Sequence, residues 1–179
     1  QFNIIDEDED FRKYKIVILP DNILCSDFLA DKIDNYIADG GRIIASYRSG
    51  LNYSETEFAI KRLGISLVGD APYSPDFLVP TSEYGKRLFK TEYVMYNQGK
   101  EIKINDAKEV VKTYIPYFNR TWEHFCSHLH TPSSHKYGYP GITECKGNYY
   151  FMHPIFSIYQ EKHPKWCKEF LRDVLETLI

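Results

Sequence analysis

The chain has 179 residues, enough for one ordinary domain and too few for two comfortable ones. It is 43% hydrophobic and 26% charged, and its 22 basic and 25 acidic residues leave a formal charge of -3 spread along its length. This profile excludes a disordered chain. The absence of a Lys/Arg cluster removes support for nucleic-acid binding, and no stretch is apolar for long enough to span a bilayer, so neither nucleic acid nor membrane is expected as a partner.

Residues Phe2 to Ile5 read as a short strand, followed by the solvated acidic run Asp6 to Asp10. Lys15 to Pro20 (KIVILP) is a continuous apolar run of the kind buried on both faces of a parallel sheet. Ser26 is placed to cap a helix whose apolar positions Leu29, Ile33, Tyr36 and Ile37 share a face, and Gly40-Gly41 ends it. A second buried strand, Arg42 to Ser46, follows at once, so strand, helix and strand make a right-handed βαβ unit. Ser54 and Glu57 have the spacing of a capping box and predict a helix to about Leu63, stopped by Gly64.

From Ile65 to Phe118 short strand-like runs, Ile65–Val68, Phe77–Val79, Tyr93–Tyr96, Glu101–Ile104 and Val110–Tyr117, are broken by Pro, Gly and Asn. They predict a β-rich excursion, with a hairpin joint near Asn97-Gln98-Gly99. Asn119 to Gly141 is polar and reads as a long functional or interface loop. A strand at Asn148 to Met152 and a helix from about Pro164 to Leu178 close the chain. Because the first residue is Gln1 and not Met, the chain is expected to be a processed or excised piece of a longer protein.

Three passages carry a family resemblance: Phe11–Pro20 (FRKYKIVILP), Ile37–Leu51 (IADGGRIIASYRSGL) and Tyr150–Phe156 (YFMHPIF). The pattern, with Arg48-Ser49-Gly50 as its distinctive part, resembles the trimerisation domain of bacterial β-galactosidases and the matching domain of α-fucosidase-like glycosidases. It spans roughly two thirds of the chain and is strongest toward its start. The resemblance implies a three-layer α/β fold of the flavodoxin-like or class I amidotransferase-like kind, with a mostly parallel central sheet. It implies a catalytic (β/α) barrel on the same polypeptide as partner, which supplies both catalytic carboxylates. This domain would then make subunit contacts in a homo-oligomer, trimer or dimer, and wall the cleft that takes the parent's carbohydrate substrate. In such domains an additional strand and helix usually precede the segment matching Phe2; here they are expected to be missing or cut off.

Several residues are candidates for chemistry. An active amidotransferase needs a Cys on the turn after a strand, activated by His. The turn after Ile43-Ile44-Ala45 holds Ser46, Tyr47, Arg48 and Ser49 instead, and Cys25 follows the wrong strand. Tyr47, Arg48, Ser49 and His153 form a candidate ligand or interface crevice at the carboxyl ends of the parallel strands. Arg48 there would grip a carboxylate, or, as the favoured reading, hold its own loop by an ion pair. His153 is expected to hydrogen-bond backbone. His124, Cys126, His128 and His130, at two-residue spacing, are either zinc-ligand types on one side of an extended strand or, as favoured, part of an interface loop. Tyr114, Tyr117, Phe118 and Trp122 would stack on sugars or, more commonly, fill a core or interface. The four cysteines, Cys25, Cys126, Cys145 and Cys167, have no CxxC pair and read as reduced thiols or buried fillers.

The expectation is therefore one α/β domain over residues 1–179, without catalytic residues, cofactor or metal of its own, serving a glycoside hydrolase. The competing expectations are a stand-alone amidotransferase-like or metal-dependent hydrolase using the His/Cys loop, and a simple sugar-binding module.

Overall fold

The computed structural model describes residues 2–179. Strand β1 (Ile16–Leu19), helix α1 (Asp27–Ala38) and strand β2 (Arg42–Ser46) form the expected βαβ unit, with Val17 opposite Ile43 and Leu19 opposite Ala45 in a parallel pair. Ser26 caps α1, its hydroxyl accepting the Leu29 N–H at 3.1 Å. Leu29, Ala30, Ile33, Tyr36 and Ile37 are buried on one face of the helix. The cap is worth about 1 kcal/mol and each large buried side chain about 1.5–3 kcal/mol, so packing, more than capping, holds α1 in place.

The remaining elements are β3 (Ile65–Asp70), β4 (Asp76–Leu78), β5 (Tyr93–Met95), β6 (Lys100–Ile104), β7 (Lys108–Pro116), β8 (Ser133–Cys145), β9 (Asn148–Phe151), α2 (Ile155–Lys162) and α3 (Lys165–Leu178). The main sheet runs β1-β2-β9-β8-β7-β4-β5, and β3 pairs with β6 in a separate antiparallel ribbon. Only β1–β2 and β2–β9 pair in parallel; the four pairings beyond β9 are antiparallel.

The flavodoxin-like, class I amidotransferase-like three-layer fold with a mostly parallel sheet is thereby overturned. The chain builds a mixed sheet that curls into a half-barrel, with three α-helices among the described residues. The cause lies in the connections, because parallel neighbours need a crossover of a dozen residues or more whereas a tight turn forces an antiparallel pair. Between β8 and β9 there are only Lys146 and Gly147, at φ +50° and +86°, the left-handed geometry of a two-residue hairpin turn.

The curl shows in one contact. His153 follows β9 and Asp76 opens β4, yet β8 and β7 lie between those strands in the sheet order. In a flat sheet three strand spacings would separate them by about 14 Å. Their side chains meet at 2.5 Å.

Other local readings also change. Phe2 to Ile5 form no strand, and Phe2 and Ile4 are exposed. β1 is an edge strand with Val17 and Leu19 buried, whereas Ile18 on the opposite face is 37% exposed. The helix expected from Ser54 is replaced by turns and a short 3-10 segment, Lys61–Leu63. Asn52 Oδ1, not Ser54, accepts the Thr56 N–H, and Glu55 sits at φ +55°, where a helix cannot propagate. Gly64 does stop that segment, at φ +67°. Asn97 to Gly99 is no hairpin; it carries the chain from β5 in the main sheet to β6 in the ribbon. The polar stretch 119–141 is half strand, since β8 starts at Ser133. Two cores lie on opposite faces of the sheet: Ile43 and Tyr150 pack with α1 on one, and Ile44 and Phe151 pack with Phe170 and Val174 of α3 on the other.

Candidate functional site: the strand-end crevice and the β7–β8 loop

The crevice outside the carboxyl ends of β1 and β2 is built from turns that use their polar atoms internally. Tyr47 turns the chain at φ +54°; its N–H donates to the Phe151 carbonyl at 2.8 Å and its carbonyl accepts the Tyr150 hydroxyl at 2.6 Å. Arg48 lays its guanidinium on Glu55 through two hydrogen bonds, the Nε one at 2.7 Å, and reaches Asn22 Oδ1 at 3.4 Å. This pair raises the Arg48 pKa and lowers that of Glu55, in each case chiefly through the hydrogen bond between them. Ser49 is fully buried, and its hydroxyl accepts the Ile23 N–H at 3.0 Å. Ser46 donates to Asp21 Oδ1 at 2.7 Å.

His153 shares the strand end with this crevice but not its partners. Its Nε2 meets Asp76 Oδ1, with both residues 1% exposed. The backbone partner expected for this imidazole is therefore replaced by a carboxylate. Tyr139 lies beside Asp76, and its phenol pKa is pushed far up, first by burial and then by that carboxylate.

No thiol in the core is activated. Burial pushes the Cys25 pKa up to about 11 and that of Cys167 up to about 12, and it raises Cys145 as well. At neutral pH these groups are thiols and not thiolates, the form a nucleophile needs. The Ser49 hydroxyl faces the Ile23 N–H and His153 Nε2 faces Asp76, while His153 Nδ1 is buried without a hydrogen-bond partner, so Ser49 and His153 do not pair with each other.

The β7–β8 loop is the opposite. His124 stacks on Phe118 with centroids 3.6 Å apart, and its N–H and carbonyl bond the Thr121 hydroxyl and N–H at 3.0 and 2.8 Å. Arg120 donates to the Leu129 carbonyl at 2.9 Å. Asn119 ties the loop base down, donating to the Pro72 carbonyl at 2.6 Å and accepting from the Ser74 N–H at 3.1 Å. The chain is folded back on itself, so His124, Cys126, His128 and His130 do not line one side of a strand. Among the described residues no three His, Cys, Asp or Glu converge as metal ligands. Cys126 Sγ instead faces the His128 and His130 carbonyls at 3.8 and 3.5 Å.

This ordered loop leaves Tyr117, Trp122, Phe125 and Leu129 exposed, Trp122 by 86% and Leu129 by 78%. Tyr114 and Phe118 are partly buried, by contrast, within the strand and the loop. The loop also rims an open cavity of about 390 Å³ lined by Tyr96, His128, Leu129, His130 and Pro132. Sequence reasoning singled out the imidazoles here; the exposed Phe125 and Leu129 and the buried Asp76 and Asp21 escaped it.

Comparison with known proteins places the chain as a whole. The family model described as "Beta-galactosidase trimerisation domain" matches residues 1–62, which is less than the span of the sequence resemblance. No curated protein matches the chain. Among solved structures, α-L-fucosidase isoenzyme 2 from Paenibacillus thiaminolyticus superposes with a TM-score of 0.92 at 37% identity, covering 99% of this chain and 27% of that one. The β-galactosidase from Rahnella sp. R3 gives 0.65 at 16% identity over 97% of this chain and 24% of that one. The β-galactosidase from Bacillus circulans sp. alkalophilus gives 0.62 at 17% identity over 96% and 24%. The chain thus spans about a quarter of the length of these proteins, and the two β-galactosidases attest the fold alone. The resemblance read from Phe11–Pro20 and Ile37–Leu51 is borne out over residues 1–62, which match the β-galactosidase trimerisation domain.

Proposed function

We propose that the chain is the assembly domain of a bacterial glycoside hydrolase. It packs against a catalytic (β/α) barrel of the same polypeptide and joins copies of that polypeptide into a trimer or dimer. The parent acts on fucosides or galactosides, with the catalytic carboxylates on the barrel. The 37% identity to a fucosidase, against 16% and 17% to the β-galactosidases, favours a fucosidase-like parent.

The observation that carries this reading is the β7–β8 loop. Large apolar side chains held in solvent mark candidate partner surfaces, and Trp is enriched among the few residues that dominate interface energies. Trp122, Phe125 and Leu129 are exposed on a loop that has hydrogen bonds of its own, from Arg120 to the Leu129 carbonyl and between His124 and Thr121, which lower the ordering cost of docking. The crevice supports the same reading from the other side, since the Ser46 and Ser49 hydroxyls, the Arg48 guanidinium and His153 Nε2 each bond another part of the fold. Tyr47, Arg48, Ser49 and His153 are on this view structural, and His124, Cys126, His128 and His130 belong to an interface and not a metal centre.

Sedimentation of the full-length protein tests the proposal. Trp122→Ala with Leu129→Ala should shift the oligomer toward monomer while leaving the domain folded. An unchanged oligomer at all concentrations would refute the role given to the loop. Hydrolysis of a nitrophenyl fucoside or galactoside by residues 1–179 alone would refute the non-catalytic assignment.

A further inference from the structure

Helix α2 begins without a local cap. Its N-cap residue is Pro154, and no side chain next to it in sequence caps the first turn. The exposed N–H groups of that turn carry the positive end of the helix dipole and need an acceptor.

The acceptor comes from the turn after β1. Asp21 Oδ2 accepts the Ser157 N–H at 2.6 Å and the Ser157 hydroxyl at 2.7 Å, across 136 residues of sequence. Asp21 Oδ1 accepts the Ser46 hydroxyl at 2.7 Å and, at the longer distance of 3.4 Å, the Phe156 N–H. The Ser46 oxygen in turn accepts the Asp21 N–H at 2.8 Å. The carboxylate is buried, its residue 3% exposed and its backbone at φ +51°. Among the described residues no Lys, Arg or His pairs with it. Burying a carboxylate is costly unless hydrogen bonds and dipoles replace its water, and here the helix terminus and two serines do so.

We infer that Asp21 is a resident anion. It occupies from within the chain the position, outside the carboxyl ends of parallel strands and against a helix N-terminus, where α/β folds take the anionic part of a ligand. The crevice is a carboxylate site already filled, and α2 is seated through it. Emptied of its own carboxylate, it becomes a site for a small free one, with formate the closest match in size and charge. The inference is independent of the assembly proposal, because its test reads one helix and not the oligomer.

Hydrogen–deuterium exchange on the full-length protein decides it. Asp21→Ala should speed exchange in the first turn of α2 by roughly tenfold, and formate, compared with chloride at equal ionic strength, should slow it again. Asp21→Asn keeps an acceptor oxygen but not the charge and should speed exchange by only about threefold, without response to formate. Unchanged exchange in Asp21→Ala, or the same exchange in formate and chloride, overturns the inference. Should Asp21→Ala lose protection throughout the domain, Asp21→Asn and Ser157→Ala decide: faster exchange confined to α2 upholds the resident anion, and none overturns it.

Discussion

The strand-end crevice and the β7–β8 loop treat polar and apolar groups in opposite ways. In the crevice, Asp21, Ser46, Ser49, Tyr47 and Arg48 are each paired with another part of the fold, and little there is free to meet a ligand. In the loop Arg120 and Thr121 bond its own backbone, Asn119 ties its base to Pro72, and Trp122, Phe125 and Leu129 are exposed. On the proposed reading, a place that resembles an active site in position serves stability, while a polar, irregular segment offers the surface for a partner. Substitutions in the first region should therefore act on folding, and those in the second on association.

The largest effect on folding is expected at Asp76 and His153. Removing one member of a buried hydrogen-bonded pair strands the other, which costs about 3–5 kcal/mol. His153→Ala should cost this much in chemical denaturation, because Asp76 would keep only Tyr139 beside it. The double change Asp76→Leu with His153→Phe removes both polar groups and should cost less than the sum of the single changes. Additive costs would show that the pair does not act as the clasp of the curled sheet.

Next comes Asp173 on α3, which is fully buried and accepts the Gly85 and Lys86 N–H groups at 2.7 and 3.0 Å and Arg87 Nη1 at 2.6 Å. It pins the segment between β4 and β5 to the helix. Asp173→Ala leaves those donors without their acceptor and should cost about 2–3 kcal/mol. Faster proteolysis between residues 79 and 92 would report the released segment, and unchanged cleavage there would refute the pinning role.

The difference between these sites was only partly legible in the sequence. The βαβ unit was, since the run Lys15 to Pro20, the cap at Ser26 and the face Leu29–Ile33–Ile37 are local signals that the structure obeys. Strand direction was not. Apolar runs at Ile65, Phe77 and Tyr93 mark strands without saying whether they pair parallel or antiparallel, and the mixed sheet follows from which strands meet across long separations. β8 hid in SSHKYGYPG because one of its faces is solvated and its pairing with β7 is repeatedly bulged. The capping box at Ser54 and Glu57 was a sound local rule that the fold does not follow: Glu55 sits in the left-handed region, with its side chain bonded to Arg48. At the sites the same limit applies. His153 was visible as a strand-end histidine, but its partner is 77 residues away, and Asp21 caps a helix still farther along the chain.

A smaller effect is expected for Arg48 and Glu55, whose side chains are each about one third exposed. Solvent screens such a pair, so Arg48→Ala should cost at most about 1 kcal/mol. Because the pair lowers the Glu55 pKa below its ordinary value of 4.5, its contribution is full at neutral pH and fades as pH falls through the lowered value. Wild type and Arg48→Ala should thus differ in stability at pH 7 and converge in acid. A difference that persists unchanged at the lowest pH would mean that Arg48 acts through packing alone.

The smallest effect on folding should come from the residues to which the proposal gives the assembly role. Trp122 and Leu129 make little contact with their own fold, so changing either to Ala should alter domain stability by no more than about 0.5 kcal/mol. At an interface the same truncation of a central aromatic costs about 2 kcal/mol or more, which is a loss of some thirtyfold in association. The ratio of the two effects is the informative quantity. A residue of the core would lower both together, and a residue on an idle surface would change neither. Only a side chain held out for a partner gives a large change in the sedimentation equilibrium with an unmoved denaturation curve. If Trp122→Ala instead destabilised the domain as strongly as Asp173→Ala, the loop would be part of the scaffold, and the contrast between the two regions would fail.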